Sequence, residues 1–252
     1  MNETKFNGMG EIYAKYRPTY AKSFIEYLYT DIGFNKDSII ADVGSGTGIL
    51  TKQLLNMGST VYAIEPNDDM RAIAENNLSS YNNFVSVNSS AESMLLDDNS
   101  IDFITVAQAF HWFDKVKFKE ECKRVLRSGG MVILVWNSRV YDDDLVMDCD
   151  NIHNKYCPNF KGFEGGMRGA EEEGAYDSFF SGDYDKKVYH NDQPPCDLNG
   201  FIGRNLSASY ALKEDDDNYP AYVDELITCF NKHAVDGKLV MPQVTKSYIG
   251  YV

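Results

Sequence analysis

No two of the five cysteines (Cys122, Cys149, Cys157, Cys196, Cys229) form a C-x-x-C pair, and five is an odd number. That spacing argues against a structural zinc site and against a disulfide framework. It predicts free thiols in a reducing cytoplasm and no metal centre. Long apolar runs are also missing. The cleanest, Met131 to Trp136, is far short of the roughly 20 residues that span a bilayer. The opening stretch MNETKFNGMGEIYAKYRP has no apolar h-region, so no secretory signal is expected. Positive charge is in deficit: 24 Lys and Arg stand against 38 Asp and Glu, for a net charge of −14. Such a chain repels nucleic acid and anionic membrane, and no basic stripe offsets the repulsion. The deficit is uneven. Residues 1–137 hold 13 basic and 17 acidic side chains, and residues 138–252 hold 11 and 21. Acidic runs such as Asp142-Asp143-Asp144, Glu171-Glu172-Glu173 and Glu214 to Asp217 read as solvated loops and helix starts. There is no internal repeat and no low-complexity tract.

What is present suits one large α/β domain with an insertion. Hydrophobic residues make up 43% of the 252 and aromatics 13%, enough for a sizeable core. In the first half, short β-rich runs alternate with segments of helical period, as in βα units on a parallel sheet. Strands are predicted at Ser38 to Val43, Thr60 to Ile64, Phe84 to Val87, Ile101 to Ala107 and Met131 to Trp136. Helices are predicted at Tyr20 to Tyr29, Thr47 to Met57, Asp68 to Leu78 and Val116 to Leu126, with a turn at Ser128-Gly129-Gly130. The pattern changes after Asn137. Residues 139–185 show no clear period and read as a helical insertion or lid on a cofactor-binding core, 1–138. Residues 186–252 complete the sheet with strands near Lys186 to His190 and Val244 to Tyr251, and add a helix at Tyr219 to His233.

One stretch carries chemistry. In "IIADVGSGTGIL" an apolar strand ends at Asp42, and Gly44, Gly46 and Gly48 follow at alternate positions. Glycines there let backbone N–H groups at a helix start approach a ligand closely. The dinucleotide fingerprint wants its third glycine at position 49, where Ile stands. The Walker loop wants a Lys-Ser/Thr pair that is absent. The next carboxylate at a strand end is Glu65, in "VYAIEPN", placed to take the hydroxyls of a ribose. A nucleoside ligand without a diphosphate is thus indicated, and S-adenosylmethionine fits.

At this point the chain resembles the class I S-adenosylmethionine-dependent methyltransferases, in order along "ADVGSGTG", "AIEPNDDM", "SSAESMLLDDNSIDFIT", "AQAFHWF" and "RVLRSGGMVILVWN". Within the class it is most similar to small-molecule enzymes of the trans-aconitate type, which share the "HWF" segment and an N-terminal "YRP". The resemblance implies a Rossmann-like, doubly wound sheet of seven mainly parallel strands with an antiparallel last strand. It also implies roles. Gly44, Ser45, Gly46 and Gly48 would line the methionine and ribose side, Glu65 would hold the ribose, and Pro66 and Met70 would pack by the adenine. Ala91 and Glu92 would meet the adenine edge, and Gln108 and Ala109 would lie under the methionyl part. Tyr13 and Arg17 would close over the cofactor, Arg17 pairing with its carboxylate.

Methyl transfer from a sulfonium is an in-line displacement, so alignment is the main task and a base is needed only where the acceptor carries a proton. His111 is the candidate base, with Trp112 as a pocket wall and Tyr16 and Tyr20 as substrate contacts. The acceptor is a small molecule, methylated most simply on a hydroxyl or carboxylate oxygen. The acidic second half leans toward neutral or cationic acceptors, whereas an arginine at the reacting centre (Arg139, Arg168 or Arg204) would select anionic ones. Two rival functions differ in testable ways. A nicotinamide oxidoreductase would need glycine at position 49. A non-catalytic nucleoside-binding protein on the same fold would bind the cofactor and turn nothing over. The N/D-P-P-Y/F signature of amino methylation is absent after the fourth strand. Oligomeric state is not legible in the sequence.

Overall fold

The computed structural model describes residues 16–163 and 174–252. Seven strands form one sheet: β1 Ile39–Val43, β2 Thr60–Ile64, β3 Phe84–Val87, β4 Ile101–Ala107, β5 Leu126–Arg139, β6 Asp185–His190 and β7 Gln243–Gly250. Their order is β3-β2-β1-β4-β5-β7-β6. The pairs β2–β3, β1–β2, β1–β4 and β4–β5 are parallel. β7 runs antiparallel to both neighbours, β5 and β6. The central strands are buried on both faces, which is why they read as continuous apolar runs rather than alternating ones.

Helices lie on both faces. α1 (Lys22–Tyr27, continued to Ile32 by wider turns), α2 (Ile49–Asn56) and α3 (Asp68–Leu78) bury Phe24, Leu28, Leu54 and Leu78 on one side. α4 (Lys115–Val125) covers the other with Phe118, Cys122 and Val125, beside Tyr176 and Phe179 of the short α6 (Ala175–Phe179). A third apolar cluster stands apart from the sheet. It is built by α5 (Asp144–Tyr156), α7 (Leu198–Leu206) and α8 (Tyr219–His233) around Cys149, Ile152, Phe201, Tyr222 and Leu226. So α8, which follows the last but one strand, packs with the insertion helix α5 and with α7 rather than on the sheet.

Local chemistry sets the helix starts. Asn67 Oδ1 accepts the Met70 N–H at 2.9 Å and opens α3, with Asp68 and Asp69 in its positive first turn. Asp143 Oδ1 accepts Leu145 N–H at 2.9 Å to open α5, and Asp197 Oδ1 accepts Gly200 N–H at 2.8 Å to open α7. α7 has no counterpart in the sequence reading. The expected turn at Ser128-Gly129-Gly130 lies inside β5 as an irregularity: pairing jumps from Ile101 with Leu126 to Phe103 with Met131. Gly130 is needed there because a Cβ would sit 2.9 Å from the Asp102 carbonyl oxygen. No helix among the described residues is long and apolar enough to cross a membrane.

Candidate cofactor cleft and a buried arginine cluster

β1 is flanked by β2 and β4, so the strand order reverses at its carboxyl end, where an open α/β sheet leaves a crevice. The chain turns there through Gly44, Gly46 and Gly48, all at positive φ (68°, 57° and 81°). The three glycines serve different ends. At Gly44 a Cβ would meet Ala109 Cβ at 2.6 Å, so this glycine lets the loop press on the exit of β4. At Gly48, which starts α2, a Cβ would meet Leu78 Cδ1 at 2.7 Å, so this one packs α2 on α3 and faces away from the crevice. At Gly46 nothing lies within 4 Å. Its backbone is bare toward open space.

Glu65 bridges this loop. Its Oε2 accepts the Gly46 N–H and its Oε1 the Asn67 N–H, both at 2.9 Å, and burial raises its pKa. Behind it, Asp42 is wholly buried and accepts the hydroxyls of Thr51 (2.6 Å) and Thr105 (2.8 Å). Burial pushes its carboxyl up to about 6. On the far wall Gln108 holds φ at +58°, a strained conformation for a residue with a Cβ. Two bonds hold it there: its N–H donates to the Val135 carbonyl at 2.9 Å and its Nε2 to the Asn137 carbonyl at 3.1 Å.

These residues line a cavity of about 650 Å³. Gly44, Ser45, Gly46, Glu65, Pro66, Met70, Ala91, Glu92, Gln108 and Ala109 all border it, as do Tyr20 and Trp112. Thr47, Ile49, Asn67, Phe113 and Lys117 border it too, although the sequence reading did not single them out. Thr47 and Asn67 stood inside the quoted motifs and could have been found there. Phe113 also stood inside a quoted motif, "AQAFHWF", whereas Lys117 reaches the wall from the first turn of α4. Four of the named residues lie elsewhere. Gly48 is spent on helix packing. His111 does not border the cavity; its ring lies against Trp112, 4.4 Å between centroids, in the helical turn Phe110–Trp112. Tyr16 and Arg17 turn toward α7, where the Tyr16 ring covers Gly203 and Arg17 Nη2 donates to the Ser207 carbonyl at 3.0 Å. Tyr13 and Arg168 fall outside the described residues.

The cavity suits S-adenosylmethionine by its chemistry. Ser45 Oγ and Thr47 Oγ1 are buried on its wall with no hydrogen-bond partner among the described residues. Buried hydroxyls are rarely left so. A carboxylate, two free hydroxyls and a bare glycine backbone meet the polar groups of a nucleoside and an amino acid. Pro66, Met70 and Ile49 offer apolar surface for a base.

A cluster of arginines lies near the carboxyl end of β5. The Asn137 carbonyl accepts from Gln108, and the Asn137 Nδ2 donates to the Thr19 carbonyl at 3.0 Å. Two residues on, at the carboxyl end of β5, stands Arg139. Arg204 of α7 is buried (9% exposed), and Arg17 acts on both electrostatically. Arg139 Nη1 and Arg204 Nη2 are shut from solvent with no acceptor, and neither side chain makes an ion pair among the described residues. Burial pushes both guanidinium groups below their usual range, Arg204 well below; the Arg17 charge adds to the fall at both, and Arg139 adds to it at Arg204. Tyr210 is half-buried beside them, and loss of solvent pushes its phenol up to about 12. Neither Asn137 nor Tyr210 stood out in the sequence, because what they meet depends on which strands and helices come together.

Residues 41–134 match the model of a methyltransferase domain. An uncharacterized methyltransferase of Mycobacterium tuberculosis is 38% identical over 127 residues, which cover 50% of this chain and 49% of that protein. A protein of Dictyostelium discoideum named as a methyltransferase is 32% identical over 154 residues, covering 61% of this chain and 56% of its own. The chain thus spans about half the length of the curated relatives it matches. Among solved structures, one described as a candidate type II methyltransferase from Anaeromyxobacter dehalogenans superposes with a TM-score of 0.65. It covers 93% of this chain and 97% of its own at 20% identity, a likeness of fold. Residues 41–134 are thus similar to a methyltransferase domain, and the chain shares its fold with a solved structure so described.

Proposed function

We propose that this chain methylates a small anionic acceptor on a carboxylate oxygen, working as one domain in the cytoplasm. The observation that carries this reading is the pair of buried guanidinium groups, Arg139 and Arg204, whose inner nitrogens have no acceptor. A buried unpaired charge is costly, and a ligand carboxylate supplies the missing partner in a planar fork. The lean toward cationic acceptors drawn from the acidic second half gives way here: among the described residues, no acid of that half pairs with Arg139 or Arg204.

The cofactor, when bound, supplies a methyl group already activated by its sulfonium. The chain's own residues have three tasks. Glu65, with Ser45 and Thr47, holds the nucleoside side, and Gly46 brings backbone close without a side chain in the way. Gln108, tied to Asn137, sets the wall between the two sites. Arg139, Arg204 and Arg17 hold the acceptor's carboxylates so that one oxygen is directed at the cleft, and the helices α5, α7 and α8 keep water out. A carboxylate nucleophile carries no proton at neutral pH, so no general base is required. His111 then orients Trp112 and is not a proton acceptor.

The test separates cofactor from acceptor. Calorimetric titration with S-adenosylmethionine should show binding that Glu65→Ala abolishes and that NADH does not reproduce. Turnover on a panel of di- and tricarboxylates, hydroxy acids and amines should favour the carboxylates. Arg139→Leu and Arg204→Leu should each lower kcat/KM by roughly 10–100-fold, the loss of one or two charge-assisted hydrogen bonds, and leave cofactor affinity intact. Preference for amines, or arginine variants with unchanged kcat/KM, would sink the reading.

A further inference from the structure

α5 and α8 pack side by side in the helical cluster, and their facing ends bring four chemistry-bearing side chains together. Asp148 and Cys149 are consecutive on α5. Cys229 and His233 stand four residues apart on α8, and so share one face. A carboxylate oxygen of Asp148, the Cys229 sulfur and a ring nitrogen of His233 all lie within 4.8 Å of one another. His233 Nε2 is 2.6 Å from Asp148 Oδ2. The Cys149 sulfur stands 4.0 Å from that of Cys229, and both thiols are buried. Either thiol can donate in this contact. None of these groups borders the cofactor cleft.

We propose that Asp148, Cys229 and His233 form a binding site for a thiophilic divalent cation such as zinc, at the interface of α5 and α8. One sulfur, one imidazole nitrogen and one carboxylate oxygen are the donors that zinc accepts. Ligand atoms around a tetrahedral zinc stand about 3.3–3.8 Å apart, as follows from bonds of about 2.0–2.3 Å. The present spacing is reached by small rotations of side chains on two packed helices. The cation takes the place of the hydrogen bond between His233 Nε2 and Asp148 Oδ2 and displaces the Cys229 thiol proton to solvent, and Cys149 stands beside the Cys229 sulfur. Lys232, now 2.7 Å from Asp148 Oδ2, has a side chain 62% exposed and swings free into water. The surface side of Asp148 gives an entry path. Bound metal would fasten α5 to α8 and stabilise the cluster that carries Arg204, because it binds only where both helices are in place.

The test is titration of the full chain with Co²⁺ in a non-thiol reductant. Expected are a thiolate-to-cobalt band in the near ultraviolet and visible bands of tetrahedral intensity, at one equivalent, both bleached by Zn²⁺. Cys229→Ser should remove the near-ultraviolet band, and His233→Ala and Asp148→Asn should each weaken Co²⁺ at least about tenfold, as loss of support to a metal site typically does. Each variant is checked for folding by its retained binding of S-adenosylmethionine. The two solvent-reachable variants, at His233 and Asp148, carry the test if Cys229→Ser does not fold. A band kept in Cys149→Ser supports three protein ligands; a band lost there as well supports a second sulfur at the same site. No thiolate band in the native chain, or one that survives Cys229→Ser, overturns the proposal.

Discussion

His153 shows how one residue can set a pH dependence. It is fully buried in the helical cluster, with Nε2 3.1 Å from Asn205 Oδ1 and Nδ1 3.1 Å from the Tyr222 hydroxyl. Asn205 Oδ1 is an acceptor only, so the proton sits on Nε2, and Nδ1 accepts from the tyrosine. Burial pushes its pKa down to about 4, with Asn205 opposing and Arg139 adding to the shift. The unfolded chain takes up this proton near pH 6.5, so between about 6.5 and 4 the unfolded state binds more protons. The stability contributed by neutral His153 is present above pH 6.5 and fades as pH falls toward 4. Asp42, raised to about 6, works in the opposite sense over an overlapping range: its burial opposes folding at neutral pH and less so in acid. The measurement must therefore be a difference. The stability gap between the native chain and His153→Gln, from urea unfolding, should shrink by on the order of 3 kcal/mol from pH 7 to pH 4. A constant gap would mean that His153 is not held neutral.

The glycine loop gives a second contrast between residues. Gly46 and Gly48 both have positive φ, but only Gly48 would drive a Cβ into a neighbour. Gly46→Ala should cost about 1–2 kcal/mol of stability from the left-handed backbone alone, and should weaken S-adenosylmethionine because its methyl occupies the crevice. Gly48→Ala should cost roughly 1–3 kcal/mol more, the price of overpacking, with cofactor affinity less affected in what remains folded. Calorimetric binding and denaturant unfolding on both variants check the pair. Equal effects on binding would show that Gly48 also faces the ligand.

At the scale of elements, periodicity located five helices and seven strands, most clearly the central strands and the helices that bury an apolar run or face. The misses have local causes. α7 is nine residues long, and its two glycines in "LNGFIGRNL" lower the helix propensity of the segment, although its apolar residues fall at helical spacing. The glycine pair in β5 reads as a turn by composition, but the strand continues through it because Met131 re-registers on Phe103. α5 is cap-dependent for a related reason: Asp143 closes two N–H groups, those of Leu145 and Val146, in a segment of mixed polarity. Asp143→Ala should cost about 1 kcal/mol. The loss should show as faster amide exchange confined to the first turns of α5, with the sheet unchanged.

At the scale of the molecule, net charge and local charge part company. The chain carries −14, yet two arginines are turned inward beside the cleft. The outer field should keep it off polyanions. Native chain at about 150 mM salt, where the Debye length is near 8 Å, should not retard duplex DNA in a gel, and measurable retardation would contradict that reading. The sequence by itself determined the sheet, the cofactor and the glycine–glutamate arrangement. Those depend on short-range features: runs that must be buried, glycines that must turn, and a carboxylate at a fixed distance along βαβ. It did not determine the arginine cluster or the Asp148–Cys229–His233 cluster. Their members lie 65 and 81 residues apart (Arg139 to Arg204, Asp148 to Cys229) on helices and strands whose contacts are set by packing. Only the folding of α7 and α8 onto α5 brings them together, and that association is a property of complementary apolar faces, not of any local pattern.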